Sequence, residues 1–593
     1  MSRISILKHI KDILRIIYSK EEAHELSASL KTLMDAYGES EVIVEKRRKY
    51  NNHVVLNEKD AILITYPDTI YSTDEKPLST LHRFLRKHVR DAVTGVHIVS
   101  FFPSSSDGGY AVINYKEVDP RFGTWEHIRE IAQDYRLMVD LVMNHVSSKS
   151  SWFKGFLEGD KRYRDYFIVS DNKTEMPEVF RPRETPLFTG FNTAMGKKYV
   201  WTTFSADQVD LNYKNPEVLL EIVDVFLFYL SQGAEIIRLD AVGYIWKEAH
   251  TRCVNLSKTH QIVKLLRRIL EYVAPYALIL TEANFPYKDN ISYFGEGHEA
   301  NMVYQFSLPP LVLDAFARHD TGHIQEETNK TRQDLLFFDF LASHDGIGLS
   351  GARGILDDKE LLTLVEMAKA HGGLISYELK DGKEVPYELN ISYFDAVNDP
   401  GQASDPLAVK RFIASQAVML ALKGVPGIYI HSLLGSRNYY RGVRETGIKR
   451  MINREKIPVD VIDRTLSDVR SLRHQVFSGY LHLLNVRKKI SSFHPAGTRE
   501  VLNIDKRLLT IVRQYRGKAV RVVINVSKDI IFLPEYQGNF DLISCKAFEG
   551  KVPPYGVFFL TTNIKDPSET GPCNKDIPNR SVSGLFEEKE IAV

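Results

Sequence analysis

The sequence predicts an α/β protein: a (β/α)8 TIM barrel with an inserted subdomain and a C-terminal antiparallel β domain. Three observations predict it. Short apolar, strand-like runs at 236–240, 277–282 and 335–341 lead into Asp240, Glu282 and Asp345, and read as buried parallel strands whose carboxyl ends share one rim. Strand-like runs alternate with helical patterns from about residue 59 to 480. Near the end, residues 509–515, 519–526 and 555–560 read as further strands without intervening helices.

In chain order, residues 1–58 are expected to form a helical extension. Residues 4–17 carry apolar side chains at helical spacing with charges between them, which reads as a surface helix. Asp12, Glu21 and Glu22 spoil the basic polar face that an interfacial membrane helix needs, and no apolar run is long enough to span a bilayer. The run Glu45-Lys46-Arg47-Arg48-Lys49 reads as a solvated face.

The barrel is expected over 59–480, opening with strand runs at 61–66 and 95–102. Residues 137–145 form a β-branched run that ends in Asn144-His145 before a turn-prone Ser-rich stretch. The Pro-, Arg- and aromatic-rich segment of about 146–217 leaves no room for a simple crossover, so it is expected to be a subdomain overhanging the site. A late strand at 427–430 precedes a loop that holds Arg437, Arg441 and Arg444. Residues 481–565 are expected to form the β domain. The tail, 566–593, lacks apolar periodicity and is expected to be disordered.

At 593 residues the chain is too long for one compact core. Its 77 Lys and Arg balance 76 Asp and Glu, so no long-range field marks nucleic acid or a membrane as partner, and a small ligand fits better. Three scattered cysteines, Cys253, Cys545 and Cys573, argue against a disulfide framework and a structural zinc site, and point to a reducing cytosol. The sequence leaves the oligomeric state open, a homodimer being one option.

Four fragments, Asn144-His145, Arg238-Leu239-Asp240, Thr281-Glu282 and His344-Asp345, resemble in order and spacing the motif set of glycoside hydrolase family 13, the α-amylase superfamily. Phe180-Arg181-Pro182-Arg183, residues 200–210 and residues 343–348 are similar to its sucrose phosphorylase branch. Residues 290–295, 302–310 and 432–438 most resemble glucosylglycerate phosphorylases within that branch. The likeness runs from about 55 to 560, with departures: Val99-Ser100 replaces a Leu-Pro, Gly108 and Asn114 stand where acids are expected, and so does Tyr439.

The resemblance implies roles. Asp240 would be the nucleophile, kept ionised by Arg238 and forming a covalent β-glucosyl ester. Glu282 would be the acid/base, which needs a pKa tuned upward. Asp345 would bind sugar hydroxyls and stabilise the oxocarbenium-like transition state. His145 and His344 would donate to glucose hydroxyls, although a lone histidine is more often structural. Asp68 and His97 match positions that hold the non-reducing glucose, with Arg454 clamping it beside Asp68; Arg454 read alone is equally a surface arginine. Phe204 and Tyr244 would pack against the sugar ring. Arg183, and secondarily Arg181, would hold phosphate in an arginine fork, Gln208 would define the acceptor side, and Arg437 would meet an acceptor carboxylate.

The expected activity is therefore that of a retaining glycoside phosphorylase, converting an α-glucoside and inorganic phosphate to α-glucose 1-phosphate and a released acceptor. Glucosylglycerate is the favoured substrate, then sucrose or sucrose 6'-phosphate. An α-glucosidase or transglucosidase on the same site, and an inactive amylase-like interaction module, are the alternatives. No cofactor and no metal are expected: Asn144 stands where many amylases have a calcium ligand, but no convincing set of oxygen ligands surrounds it.

Overall fold

The computed structural model describes residues 2–53, 56–171, 176–183, 185–380, 383–402 and 405–562. The tail expected at 566–593 lies outside them. Eight parallel strands close into a barrel: β1 (Ile62–Thr65), β2 (Gly95–Ile98), β3 (Arg136–Val142), β4 (Ala234–Asp240), β5 (Leu278–Thr281), β6 (Met302–Tyr304), β7 (Phe337–Phe340) and β8 (Val425–Tyr429). Spatial order follows chain order, and β8 returns to β1 with Gly427 opposite Ile62. All seven residues of β4 are buried, including Glu235, Arg238 and Asp240. Burial on both faces is what helices packed outside a parallel barrel impose.

Three helices precede the barrel: α1 (Arg3–Ile17), α2 (Lys20–Gly38) and α3 (Glu41–Lys49). Ser2 caps α1, and Ser19 with Glu22 forms a reciprocal capping box at the start of α2. The buried stripe Ile6, Ile10, Leu14 and Ile17 explains the helical spacing, since α1 packs on the barrel helix Ser257–Val273 while α2 packs on Pro216–Ser231. The basic run of α3 is only in part the solvated face expected of it: Glu45, Arg48 and Lys49 are exposed, Lys46 and Arg47 are not. Lys46 pairs with Glu235 at 2.5 Å, and Arg47 donates to the carbonyl of Val273 at 2.7 Å.

Between β3 and Pro216, His145–Ser147 pairs antiparallel with Gln208–Asp210. The segment they bracket carries a small antiparallel sheet, Val169–Ser170, Phe188–Thr193 and Gly196–Trp201. A second excursion, which the sequence reading lacked, separates β7 from β8. It is the hairpin Leu374–Lys380 and Lys383–Asn390, with Ile347–Gly348 added as a third strand.

The helix Leu472–Arg487 runs across residue 480, so the expected boundary there falls inside a helix. The C-terminal antiparallel sheet has six strands and begins at Thr498–Leu502. Arg513, on its second strand, is fully buried and donates to the carbonyls of Ala421 and Leu422 just ahead of β8, tying sheet to barrel. Cys253 is buried and free, whereas Cys545 is disulfide-bonded. A single bridge is not the disulfide framework that the sequence argued against, though it weakens the cysteine argument for a reducing compartment; Cys573 lies outside the described residues. Among the described residues no helix is long and apolar enough to cross a membrane.

Candidate active site

Residues two apart on a strand share a face, so Arg238 and Asp240 both project from β4 on one side. Arg238 Nη1 donates to Asp240 Oδ1 at 2.8 Å and to Asp140 Oδ1, on β3, at 2.9 Å. His97 Nε2, on β2, lies 3.0 Å from the same Asp140 oxygen. The guanidinium is sandwiched near the rings of Tyr110 and Tyr304. Burial acts to raise Asp140, but the charges of His97 and Arg238 overcome it and hold the carboxyl well below the usual range.

Glu282 directly follows β5, whose Thr281 is in register with Leu239 of β4, so the acid lies level with Asp240. Its backbone N–H donates to the Leu239 carbonyl at 3.1 Å, and its Oε2 accepts the N–H of Ala241 at 3.1 Å. Ala241 has φ 50°, a left-handed conformation uncommon for a residue with a Cβ. Burial pushes Glu282 upward, with Arg238 opposing it and Asp345 reinforcing it. Burial also pushes Asp240 upward, again opposed by Arg238. Glu282 and Asp140 push Asp240 further up, while the guanidinium bonds Asp240 directly and not Glu282, so the charged form of Asp240 has a partner that Glu282 lacks.

Asp345 sits on the loop after β7. Burial acts to raise it, but Arg450, His344 and Arg454 together keep its carboxyl well below the usual range. Arg450 Nη1 is 2.5 Å from Asp345 Oδ1. His344 stacks nearly flat on Tyr110, ring centres 5.2 Å apart, and burial lowers its pKa to about 3. Burial lowers His145 as well, so both imidazoles are neutral hydrogen-bonding groups at neutral pH.

Asp240, Glu282 and Asp345 line one cavity, shared with His145, His344, Arg183, Phe204, Gln208 and Tyr244. Phe204 packs against both His145 and Tyr244 at 5.2 Å. Gln208 Nε2 donates to Asp107 Oδ2 at 2.9 Å and lies 3.0 Å from His145 Nε2. Arg183 is, with Arg450, one of two arginines on the wall among the described residues. Three carboxyls in unlike electrostatic settings, beside an arginine and aromatic faces, suit attack, protonation and cation stabilisation at one carbon.

Several expected site residues stand elsewhere. Asp68 lines a neighbouring cavity, together with Gly108 and Gly109, and is ion-paired with Lys456. Arg454 borders that second cavity; its Nε donates to the His344 carbonyl at 2.7 Å and its Nη2 is 3.7 Å from Asp345, so it braces the acid's loop. His97 is fully buried and reaches the site only through Asp140. Arg437 does not meet the cavity: its Nε donates to Asp395, and its guanidinium lies over Phe394. Arg181 is likewise absent from the wall.

Asn144 Oδ1 accepts from the ammonium of Lys247 at 2.6 Å, and Asp210 Oδ2 pairs with the same ammonium at 2.6 Å. The oxygen that a metal would need is thus taken by a side-chain cation. Sequence reasoning missed Asp107, Tyr110, Tyr387 and Arg450 on the wall. Arg450 carried a faint signal as part of a basic run; the others sit in irregular or hairpin segments with no distinguishing pattern.

The alpha-amylase catalytic domain model matches residues 90–343. A glucosylglycerate phosphorylase of Spirochaeta thermophila is 48% identical over 87% of this chain and 89% of its own length, and one of Escherichia coli is 43% identical over 82% and 88%. This chain belongs to the α-amylase family, glycoside hydrolase family 13. Within the family it falls in the sucrose phosphorylase branch. The crystal structure of sucrose 6F-phosphate phosphorylase from Thermoanaerobacter thermosaccharolyticum matches with a TM-score of 0.70 at 25% identity, over 80% of this chain and 95% of that one.

Proposed function

We propose that this family 13 member is a retaining glycoside phosphorylase that acts on glucosylglycerate, yielding α-glucose 1-phosphate and glycerate. The observation that carries the mechanism is the contrast between Asp240, bonded to Arg238, and Glu282, which accepts a backbone N–H instead of a guanidinium. Asp240 attacks the anomeric carbon while Glu282 gives its proton to the departing glycosidic oxygen. Glu282, now a base, takes a proton from phosphate as phosphate attacks the glucosyl ester and Asp240 leaves. Two inversions restore the α configuration. Asp345, ionised, and the neutral His145 and His344 receive sugar hydroxyls, and Phe204 and Tyr244 offer apolar faces to the ring.

Arg183 binds the attacking phosphate, since Arg450 is already committed to Asp345 and Glu388. The acceptor assignment is supported by the 43–48% identity to glucosylglycerate phosphorylases. The test is phosphate-dependent release of glucose 1-phosphate from glucosylglycerate, compared with sucrose. Equal or better cleavage of sucrose would overturn the acceptor, and turnover indifferent to phosphate would make the enzyme a glucosidase.

A further inference from the structure

Asp345 faces the cavity from an irregular loop, so something outside the barrel strands must fix it. The side chain and the backbone of this acid lead to one buried residue, Glu388, on the hairpin strand Lys383–Asn390. Glu388 is 2% exposed. Its carboxylate takes the far edge of the Arg450 guanidinium in a two-point fork, Nη2 to Oε1 at 2.8 Å and Nε to Oε2 at 3.1 Å. That fork leaves Nη1 to meet Asp345 Oδ1 at 2.5 Å. Glu388 Oε1 also accepts the backbone N–H of Gly346, the residue after Asp345, at 3.0 Å.

The packing leaves little slack. A Cβ at Gly346 would come within 2.5 Å of Glu388 Cγ, so the loop is seated against that side chain. Ile347 and Gly348 then pair with Leu389 and Glu388 as antiparallel strands, which extends the seating into a backbone ladder. Two carboxylates share the donors of one guanidinium, and a bidentate fork sets its plane as well as its position.

We propose that Glu388 is a positioning residue for the glycosyl-transfer reaction, holding Asp345 in catalytic register through Arg450 and through the backbone of Gly346. The inference rests on the transition-state role assigned above to Asp345. It does not depend on which acceptor or nucleophile the enzyme uses, because the glucosyl unit is the same in each case. The hairpin between β7 and β8 thereby becomes part of the catalytic apparatus.

The experiment uses the full chain and an aryl α-glucoside, whose phenol leaves without acid help, so that cleavage is read whether phosphate or water completes the turnover. Glu388→Gln and Glu388→Ala are compared with wild type for kcat, KM, thermal midpoint and affinity for a cationic iminosugar that mimics the oxocarbenium ion. Glu388→Gln keeps the shape and should lower kcat by roughly 10- to 100-fold, as expected for a misplaced catalytic group, while its midpoint stays near wild type. Iminosugar affinity should fall with kcat, KM should change little, and Glu388→Asp should recover part of the loss. Wild-type kcat in Glu388→Gln, or losses in both variants that follow the unfolded fraction alone, would overturn the proposal. If wild type cleaves the aryl glucoside without regard to phosphate, the phosphorylase reading fails while the Glu388 comparison still gives its answer.

Discussion

Arg238 Nη1 donates to Asp240 Oδ1 across 2.8 Å, from two residues back along the same strand face. In the proposed mechanism this is the attacking carboxylate, and its own strand aims it with no loop needed to deliver it. The substitution Asp240→Asn keeps the shape but removes the proposed nucleophile. Turnover should fall on the order of a thousandfold or more. NMR of the freshly formed product of wild type should show the α-phosphate, and a β-phosphate would reject double displacement.

In the proposed mechanism Glu282 carries the proton that expels the leaving group, and burial raises its pKa above the usual carboxylate value. The protonated form therefore persists to higher pH than for an ordinary glutamate, and the rate declines as pH rises through the raised value. Glu282→Gln should abolish that decline in kcat/KM measured with an aryl glucoside whose phenol is basic enough to draw on the acid in wild type yet still leaves slowly without it. An unchanged high-pH limb in this variant would assign the titration to another group.

Arg183→Ala should raise KM for phosphate much more than KM for the glucoside, and should increase the share of glucosyl ester lost to water. Comparing glucose with glucose 1-phosphate among the products checks it. Equal changes in both Michaelis constants would mean that Arg183 shapes the insert rather than meeting phosphate.

Arg437 gives an opposite expectation. Its partner is Asp395 on the short helix Tyr393–Val397, and its side chain is 43% exposed. Arg437→Ala should leave the ratio of glucosylglycerate to sucrose cleavage unchanged while lowering the thermal midpoint, because Asp395 is buried and loses its guanidinium. A selective loss on the charged glucoside would return this residue to the site.

Lys247→Met should also be destabilising, because it strands the buried Asp210 carboxylate beside Asn144. Breaking such a pair costs about 3–5 kcal/mol. The thermal midpoint should drop by several degrees, with or without a chelator. A midpoint restored by added calcium would show that the pocket accepts a metal once the ammonium is gone.

The strand-end acids were legible because burial on both faces makes a barrel strand an unbroken apolar run, and Asp240 and Glu282 interrupt or follow such runs. His145 and His344 followed from the same logic. Arg437 was misjudged because sequence tells that its loop follows β8 but not which way the loop turns, and Asp395, its captor, lies in an excursion that sequence periodicity did not reveal. Asp68 was placed with the acids by the family resemblance, and sequence alone does not tell that it lines a neighbouring cavity and pairs with Lys456. Tyr387 and Glu388 were hidden in a hairpin whose pattern announces a strand and nothing about what the strand touches.

The three leading helices have a consequence for synthesis. The apolar stripe of α1 is covered by the helix Ser257–Val273, and Lys258 of that helix donates to the Ile17 carbonyl at 3.2 Å. About 240 residues separate the two, so at roughly 5–20 residues per second the first helix leaves the ribosome some 12–50 s before its cover exists. During that interval α2 is the native partner already made for α1, and the rest of its apolar stripe is uncovered. The nascent chain must carry an adhesive segment through nearly half of its own translation, and chaperone occupancy at its first helix should end once residue 273 has emerged.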